Sequence, residues 1–200
     1  MSDEQRRFFA AFVATGYQKP DDRPEVLLGF KLLEQYNGTE TCDYLDTSNH
    51  TIIHISRGTA RSKDLLPDLA ILTNTEALAK RFKMEEKRFQ IMRREYPYAS
   101  IYCTGHSLGG RIAQHLVRKF TDDIQKSIVF NPGSSPLHMA RSVKEKASCK
   151  LRRKQPICRA RRKTVIYGSS KDVISIFGLL DSDNRPNVSS GFHSLSRFLD

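Results

Sequence analysis

The sequence predicts an α/β domain in which a mostly parallel sheet is flanked by helices. Short apolar or alternating runs recur along the chain, amphipathic segments of helical period lie between them, and turn residues close each run. Strands separated by helices of crossover length pair in parallel, and a ligand crevice then forms at their carboxyl ends. With 200 residues and 22.9 kDa the chain can bury one sizeable core without metals or staples, so a single domain is expected over residues 1–200. A mean hydropathy of −0.50, with 38% hydrophobic and 28% charged residues, excludes a multi-span membrane protein.

Each element follows from its local pattern. At the amino end Asp3 and Glu4 precede Arg6 and Arg7, and only seven apolar residues follow, Phe8 to Ala14. A secretory signal needs a basic start and a longer apolar core, so Gln5–Gly16 reads as a short amphipathic helix on the domain. Pro24–Tyr36 also reads as a helix, stopped by Asn37-Gly38. Asp43–Thr47 and Thr51–Ser56 alternate as strands around a turn at Ser48-Asn49-His50. A long amphipathic helix is expected from Thr75 to Tyr96, then a strand over Ala99–Thr104 and a helix from Leu108 to Phe120. Ser127–Phe130 and Lys163–Tyr167 are two further short strands. No run approaches the ~20 apolar residues of a membrane span, and a cytoplasmic or peripheral-membrane location is expected.

Charge is concentrated in one place. The chain carries 33 Lys and Arg against 22 Asp and Glu, net +11, and Arg141–Lys163 alone holds eleven of the bases and one acid, Glu145. The remainder is close to neutral, which argues against a surface built to coat nucleic acid. The segment reads as a basic inserted loop. It either carries solvated charge or attaches the protein to anionic lipid, at about 1 kcal/mol per Lys or Arg near the surface. It lacks interleaved aromatics for base stacking, so nucleic acid is not an expected partner beyond nonspecific phosphate contact. The four cysteines form no CxxC and no His cluster accompanies them, which disfavours zinc. Free thiols are expected, with Cys149 and Cys158 pairing only under oxidising conditions.

The stretch that carries chemistry is Ile101–Gly110, IYCTGHSLGG, which contains the G-x-S-x-G pattern Gly105-His106-Ser107-Leu108-Gly109. A strand precedes it and an amphipathic helix follows, the setting a nucleophilic serine needs. The serine must stand clear of the sheet on a tight turn, and the glycines leave room where strand and helix nearly touch. Backbone amides at the helix start, Leu108 N–H first, then face a developing oxyanion. The bland alternative is a Gly-rich helix start with Ser107 as a cap. His106 lies inside the turn, where it orients or packs. The remaining roles fall downstream, in the order acid then base. His138 and His193 are the candidate bases. Among the candidate acids, Asp172 follows a strand and a Gly168-Ser169-Ser170 turn, Asp181 and Asp183 lie in a polar turn, and Asp122 and Asp123 end a helix.

Three blocks in order resemble the class 3 (fungal-type) lipases of the α/β-hydrolase superfamily. They are Ile53–Leu69 (IHISRGTARSKDLLPDL), Ile101–Gly110, and Val165–Leu199 with its Asp past a strand and Gly-x-His-x-Leu near the end. The resemblance implies a compact α/β-hydrolase-like fold and hydrolysis of lipid carboxylic esters, acylglycerol or phospholipid, through an acyl-enzyme. Ser107 would be the nucleophile, Asp172 the acid and His193 the base, with Thr59 and the Leu108 amide forming the oxyanion hole. It also implies that Arg57 and Gly58 hold that loop, that Ala60–Leu72 is the lid region, and that no cofactor or metal is needed. Departures from the family pattern are Ser56 in place of Phe, Leu65 in place of Trp, Pro67 inside the lid stretch, and a short chain; they bear on lid and substrate class. Val173–Leu180 serves the core or lines an acyl groove. The reading from a different class is a catalytically silent α/β-hydrolase-like module that binds lipid or a partner through the basic loop.

Overall fold

Local chemistry starts the first helix. The Ser2 hydroxyl accepts a hydrogen bond from the Gln5 amide at 3.3 Å, and Asp3 and Glu4 sit at the positive end of the helix dipole. The computed structural model describes residues 2–58, 75–133, 136–151, 154–169, 187–188 and 199. In chain order the elements are α1 (Asp3–Gly16), β1 (Val26–Leu27), β2 (Phe30–Leu32), β3 (Thr41–Asp46), β4 (Thr51–Ser56), α2 (Thr75–Glu95), β5 (Ser100–His106), α3 (Leu108–Lys119), β6 (Ile124–Phe130), α4 (Pro136–Leu151), α5 (Pro156–Lys163), β7 (Thr164–Ser169) and β8 (Asn187–Val188).

The eight strands lie in sequence order across the sheet. Pairing is antiparallel from β1 to β4 and parallel from β4 to β8. In the parallel part Ser56 pairs Gly105, His106 pairs Phe130, and Phe130 pairs Tyr167. The carboxyl ends of β4, β5, β6 and β7 therefore share one edge, which is the edge where an α/β sheet offers a crevice.

Alternation along the strands sends neighbouring side chains to opposite faces, and both faces are covered. Ile53, Ile55, Ile128, Phe130, Val165 and Tyr167 pack under α1, against Phe9, Phe12 and Val13. Ile52, Ile101, Cys103, Ile124, Val129 and Ile166 face Phe89 and Met92 of α2, Ile112, Leu116 and Val117 of α3, and Ala160 of α5. Sheet runs apolar on both faces, such as Thr51–Ser56, are what a buried parallel strand requires. The fold class is as expected, α/β with a mostly parallel sheet flanked by helices.

Three expectations are corrected. Pro24–Tyr36 is not a helix: Val26–Leu27 and Phe30–Leu32 form an edge hairpin, followed by a 3-10 turn at Glu34–Tyr36. Leu28 at φ +51° and Gly29 at φ +86° make the reversal, and Phe30 and Leu32 alternate inward around the exposed Lys31. The basic segment is not a loop, since α4 and α5 occupy most of it. Nor are all four cysteines free: Cys149 and Cys158 form a disulfide with Cα atoms 5.4 Å apart, while Cys42 and Cys103 are free and buried. A helical hairpin brings the first pair into bonding range, which their spacing of nine residues does not reveal.

Candidate functional site

Ser107 stands between β5 and α3 with φ +55° and ψ −124°. A serine at positive φ is a strained backbone that costs on the order of 1–3 kcal/mol and persists only where its surroundings fix it. Those surroundings are backbone. The Ser107 amide donates to the Phe130 carbonyl at 3.1 Å, and the Ser107 carbonyl accepts from the Arg111 and Gly133 amides, each at 3.1 Å. On either side the chain passes too close for a side chain. A Cβ on Gly105 would lie 2.5 Å from the Gly109 carbonyl carbon, and one on Gly109 would overlap the Ser56 carbonyl oxygen. The strand–turn–helix expected around Ser107 is thus present, with the serine half-buried at the carboxyl edge of the sheet. Ser107 makes no side-chain cap on α3. Leu108 is the first residue of the helix, so its amide is among those with no intrahelical acceptor.

The chain leaving β4 packs against the same turn. A Cβ on Gly58 would meet Tyr17 Oη at 2.5 Å, the His106 carbonyl oxygen at 2.7 Å and Ser107 Cβ at 3.4 Å. Tyr17, immediately after α1, places its Oη 3.1 Å from His106 Nδ1. The Arg57 guanidinium lies over the Tyr17 ring at 5.6 Å and donates to the Thr39 carbonyl at 3.2 Å. Burial pushes the Tyr17 phenol up to about 12, with the Gly58 amide and the Arg57 charge pulling the other way. His106 accordingly packs and orients, as its place in the turn suggested. Tyr17 was not legible as a site residue, because nothing in its local sequence marks it and only the return of α1 across the sheet brings it here.

A second histidine lies deeper. His54 on β4 is fully buried directly opposite Asp43 on β3, and its Nδ1–H donates to Asp43 Oδ1 at 2.5 Å. Its Nε2 is 3.6 Å from Glu85 of α2, which pairs with Arg81 at 3.2 Å, while Arg88 reaches Asp43 at 3.4 Å. Burial works against the imidazolium, but the charge and hydrogen bond of Asp43, with Glu85 beside it, outweigh that and raise its pKa to about 9. This cluster pins α2 to the sheet.

The basic hairpin is tethered at the other end of α3. Arg118, in the last turn of that helix, pairs with Glu145 of α4 at 3.1 Å, about 15 Å along the axis from the turn at Ser107. Arg159 pairs with Asp122 at 2.6 Å, and Lys163 donates to the Thr121 and Ile124 carbonyls at 2.6 and 2.8 Å. Two of the segment's eleven bases, Arg159 and Lys163, therefore bolt the hairpin to residues 121–124. Lys144, Lys146, Lys150 and Lys154 remain exposed.

Of the residues singled out from sequence, Ser107 and Leu108 lie together at the turn, and His138 lies within α4. Thr59, Asp172, Asp181, Asp183, His193, the 60–72 lid stretch and 173–180 fall outside the described residues. Arg57 and Gly58 lead directly into Thr59, and β7 ends three residues before Asp172 on the same edge of the sheet as Ser107. Among the described residues no cluster of three or more His, Cys, Asp and Glu is arranged to hold a metal, and no helix is long and apolar enough to cross a membrane.

No protein-family model and no curated protein matches this sequence. Solved structures do match the fold. Lip2 lipase from Yarrowia lipolytica aligns with a TM-score of 0.62 at 14% identity, over 97% of this chain and 82% of that one. A triacylglycerol lipase from Penicillium expansum aligns at 0.51 and 12%, over 96% and 82%. The lipase–propeptide complex of Rhizomucor miehei aligns at 0.55 and 12% over 86% of this chain, which spans only 62% of that protein's length. At these identities the likeness is one of fold, and the fold is the α/β-hydrolase-like one of the fungal lipases.

Proposed function

We propose that the protein is a serine hydrolase of lipid carboxylic esters, with Ser107 as nucleophile, His193 as general base and Asp172 as the acid that orients it. The observation that carries this reading is the strained turn at Ser107, held at positive φ by backbone contacts and cleared of side chains by Gly105 and Gly109. A cap or a plain helix start needs no such conformation. In the proposed reaction His193 takes the Ser107 proton as Oγ attacks the ester carbonyl. Thr59 and the Leu108 amide receive the oxyanion, each donor contributing about 3 kcal/mol in the transition state. His193 then protonates the leaving alcohol, and water, deprotonated by the same imidazole, releases the acid. The lipid character of the ester rests on the motif resemblance and on the lipase fold neighbours.

Hydrolysis of a graded acyl-chain series, and of acylglycerol and phospholipid emulsions, tests the reading. Ser107→Ala is expected to lose at least a thousandfold in kcat on every substrate cleaved by the native chain. Asp172→Asn is expected to cost far more than Asp181→Asn or Asp183→Asn. Full activity in Ser107→Ala would sink the assignment, and an inert native protein with detergent present would favour a silent module.

The exposed lysines of the hairpin support a second, peripheral contact with an anionic membrane, at about 1 kcal/mol per lysine near the surface. Binding to anionic vesicles should then fall steeply with salt, and salt-insensitive binding would remove it. The disulfide supports an oxidising compartment in place of a reducing cytosol.

A further inference from the structure

Tyr17 joins two pieces of backbone that a hydrolase of this fold must hold in register. One is the turn, through His106, the residue before Ser107; the other is the loop after β4, through Gly58, the residue before Thr59. Its Oη is 3.1 Å from His106 Nδ1 and within 2.5 Å of where a Gly58 Cβ would stand. Its ring lies under the Arg57 guanidinium at 5.6 Å. One side chain thus touches Arg57 and Gly58 of the loop and His106 of the turn. We propose that Tyr17 is a positioning residue for the oxyanion hole, fixing the loop that carries Thr59 relative to the turn that carries Ser107. The inference rests on the hydrolase reading above.

The Gly58 amide is directed at the phenol oxygen, and the phenol stays protonated across neutral pH. The phenol and His106 Nδ1 share one hydrogen bond of 3.1 Å, donated by whichever of the two carries the proton. The phenol bonds the loop on one side and the turn on the other, so a shift of either is felt by the other. Oxyanion donors act only when held within about 0.5 Å of the position that the developing charge will occupy. Substrate binding in the acyl groove has no such requirement. Loosening the clamp should therefore slow formation of the tetrahedral intermediate and leave ground-state binding alone.

Tyr17→Phe is the variant to make, because it keeps the ring against Arg57 and removes only the hydroxyl. Pre-steady-state hydrolysis of a p-nitrophenyl ester separates the outcomes: the burst amplitude counts competent sites, so a misfolded fraction lowers the amplitude and not the rate constant. The expected result is an acylation rate constant about tenfold lower, with KM within twofold of the native value. In a His106→Phe background, where the hydrogen-bond partner on the turn is gone, Tyr17→Phe should cost less than threefold. A native acylation rate in Tyr17→Phe, or a raised KM with kcat unchanged, would overturn the inference while leaving the hydrolase intact. A native protein with no burst, matched by Ser107→Ala, would overturn both.

Discussion

The turn at Ser107 lies at the start of α3, the basic hairpin of α4 and α5 is tied to the end of α3 and the residues after it, and different forces hold the two. At the turn the chain is fixed by backbone against backbone: three amide–carbonyl bonds at 3.1 Å and two glycines with no room for a methyl group. No charge is involved. At the hairpin a disulfide joins the helices, and ion pairs to Arg118 and Asp122, with Lys163 on two carbonyls, attach them to the domain. The first arrangement tolerates almost no substitution. The second is built from long, partly exposed side chains that each contribute little, so it should tolerate many.

Gly109→Ala is the most severe way to break that contrast. Its Cβ would overlap the Ser56 carbonyl, backbone against backbone, so we expect a loss above about 4 kcal/mol or no folded protein, read by denaturant unfolding. Gly's ordinary disadvantage inside a helix, about 1 kcal/mol, would otherwise make this change stabilising, so the sign alone is informative.

Charge does count where it is buried, and His54 is the control for the hairpin. Its folded pKa, about 9, lies above the ordinary value of 6.5. The pairing with Asp43 therefore stabilises fully below about pH 6.5 and is lost as pH rises through about 9. The loss is on the order of 3 kcal/mol. The thermal midpoint of the native chain should fall across that window. His54→Gln should be less stable throughout and lack the slope; an equal slope in both would place the titration elsewhere.

The hairpin's own changes should be smaller. Cys149→Ser removes a closure of roughly ten residues, which stabilises by about 2–3 kcal/mol. Melting with and without reductant should reproduce that loss in the native chain and show none in the variant. Lys146→Glu, at an exposed position, should shift stability by less than about 0.5 kcal/mol. A larger effect would mean that this lysine belongs to the bolted set.

The same contrast explains what the sequence made legible. The turn could be read because its requirement is local: glycine, serine and glycine at fixed spacing, with apolar strand before and amphipathic helix after. The strand Thr51–Ser56 was legible for the same reason, since its alternation and the turn at Ser48-Asn49-His50 are local signals. The hairpin's structure was hidden because its partners, Arg118, Asp122 and the carbonyls of Thr121 and Ile124, are chosen by the fold and not by neighbouring residues. Pro24–Tyr36 failed differently. Its apolar positions fit either period, and the decision lay in pairing with β3 and in the positive φ of Leu28 and Gly29. Tyr17 carries no local mark because a tyrosine after a helix is common, and its contacts with His106 and Arg57 exist only where α1 recrosses the sheet.

The central claim is that Ser107 is a nucleophile, and covalent capture tests it most directly. Native protein treated with a fluorophosphonate in detergent, digested and mapped by mass spectrometry, should carry one adduct on Ser107, and Ser107→Ala should carry none. An adduct on a different residue, or labelling that survives in Ser107→Ala, would contradict the account.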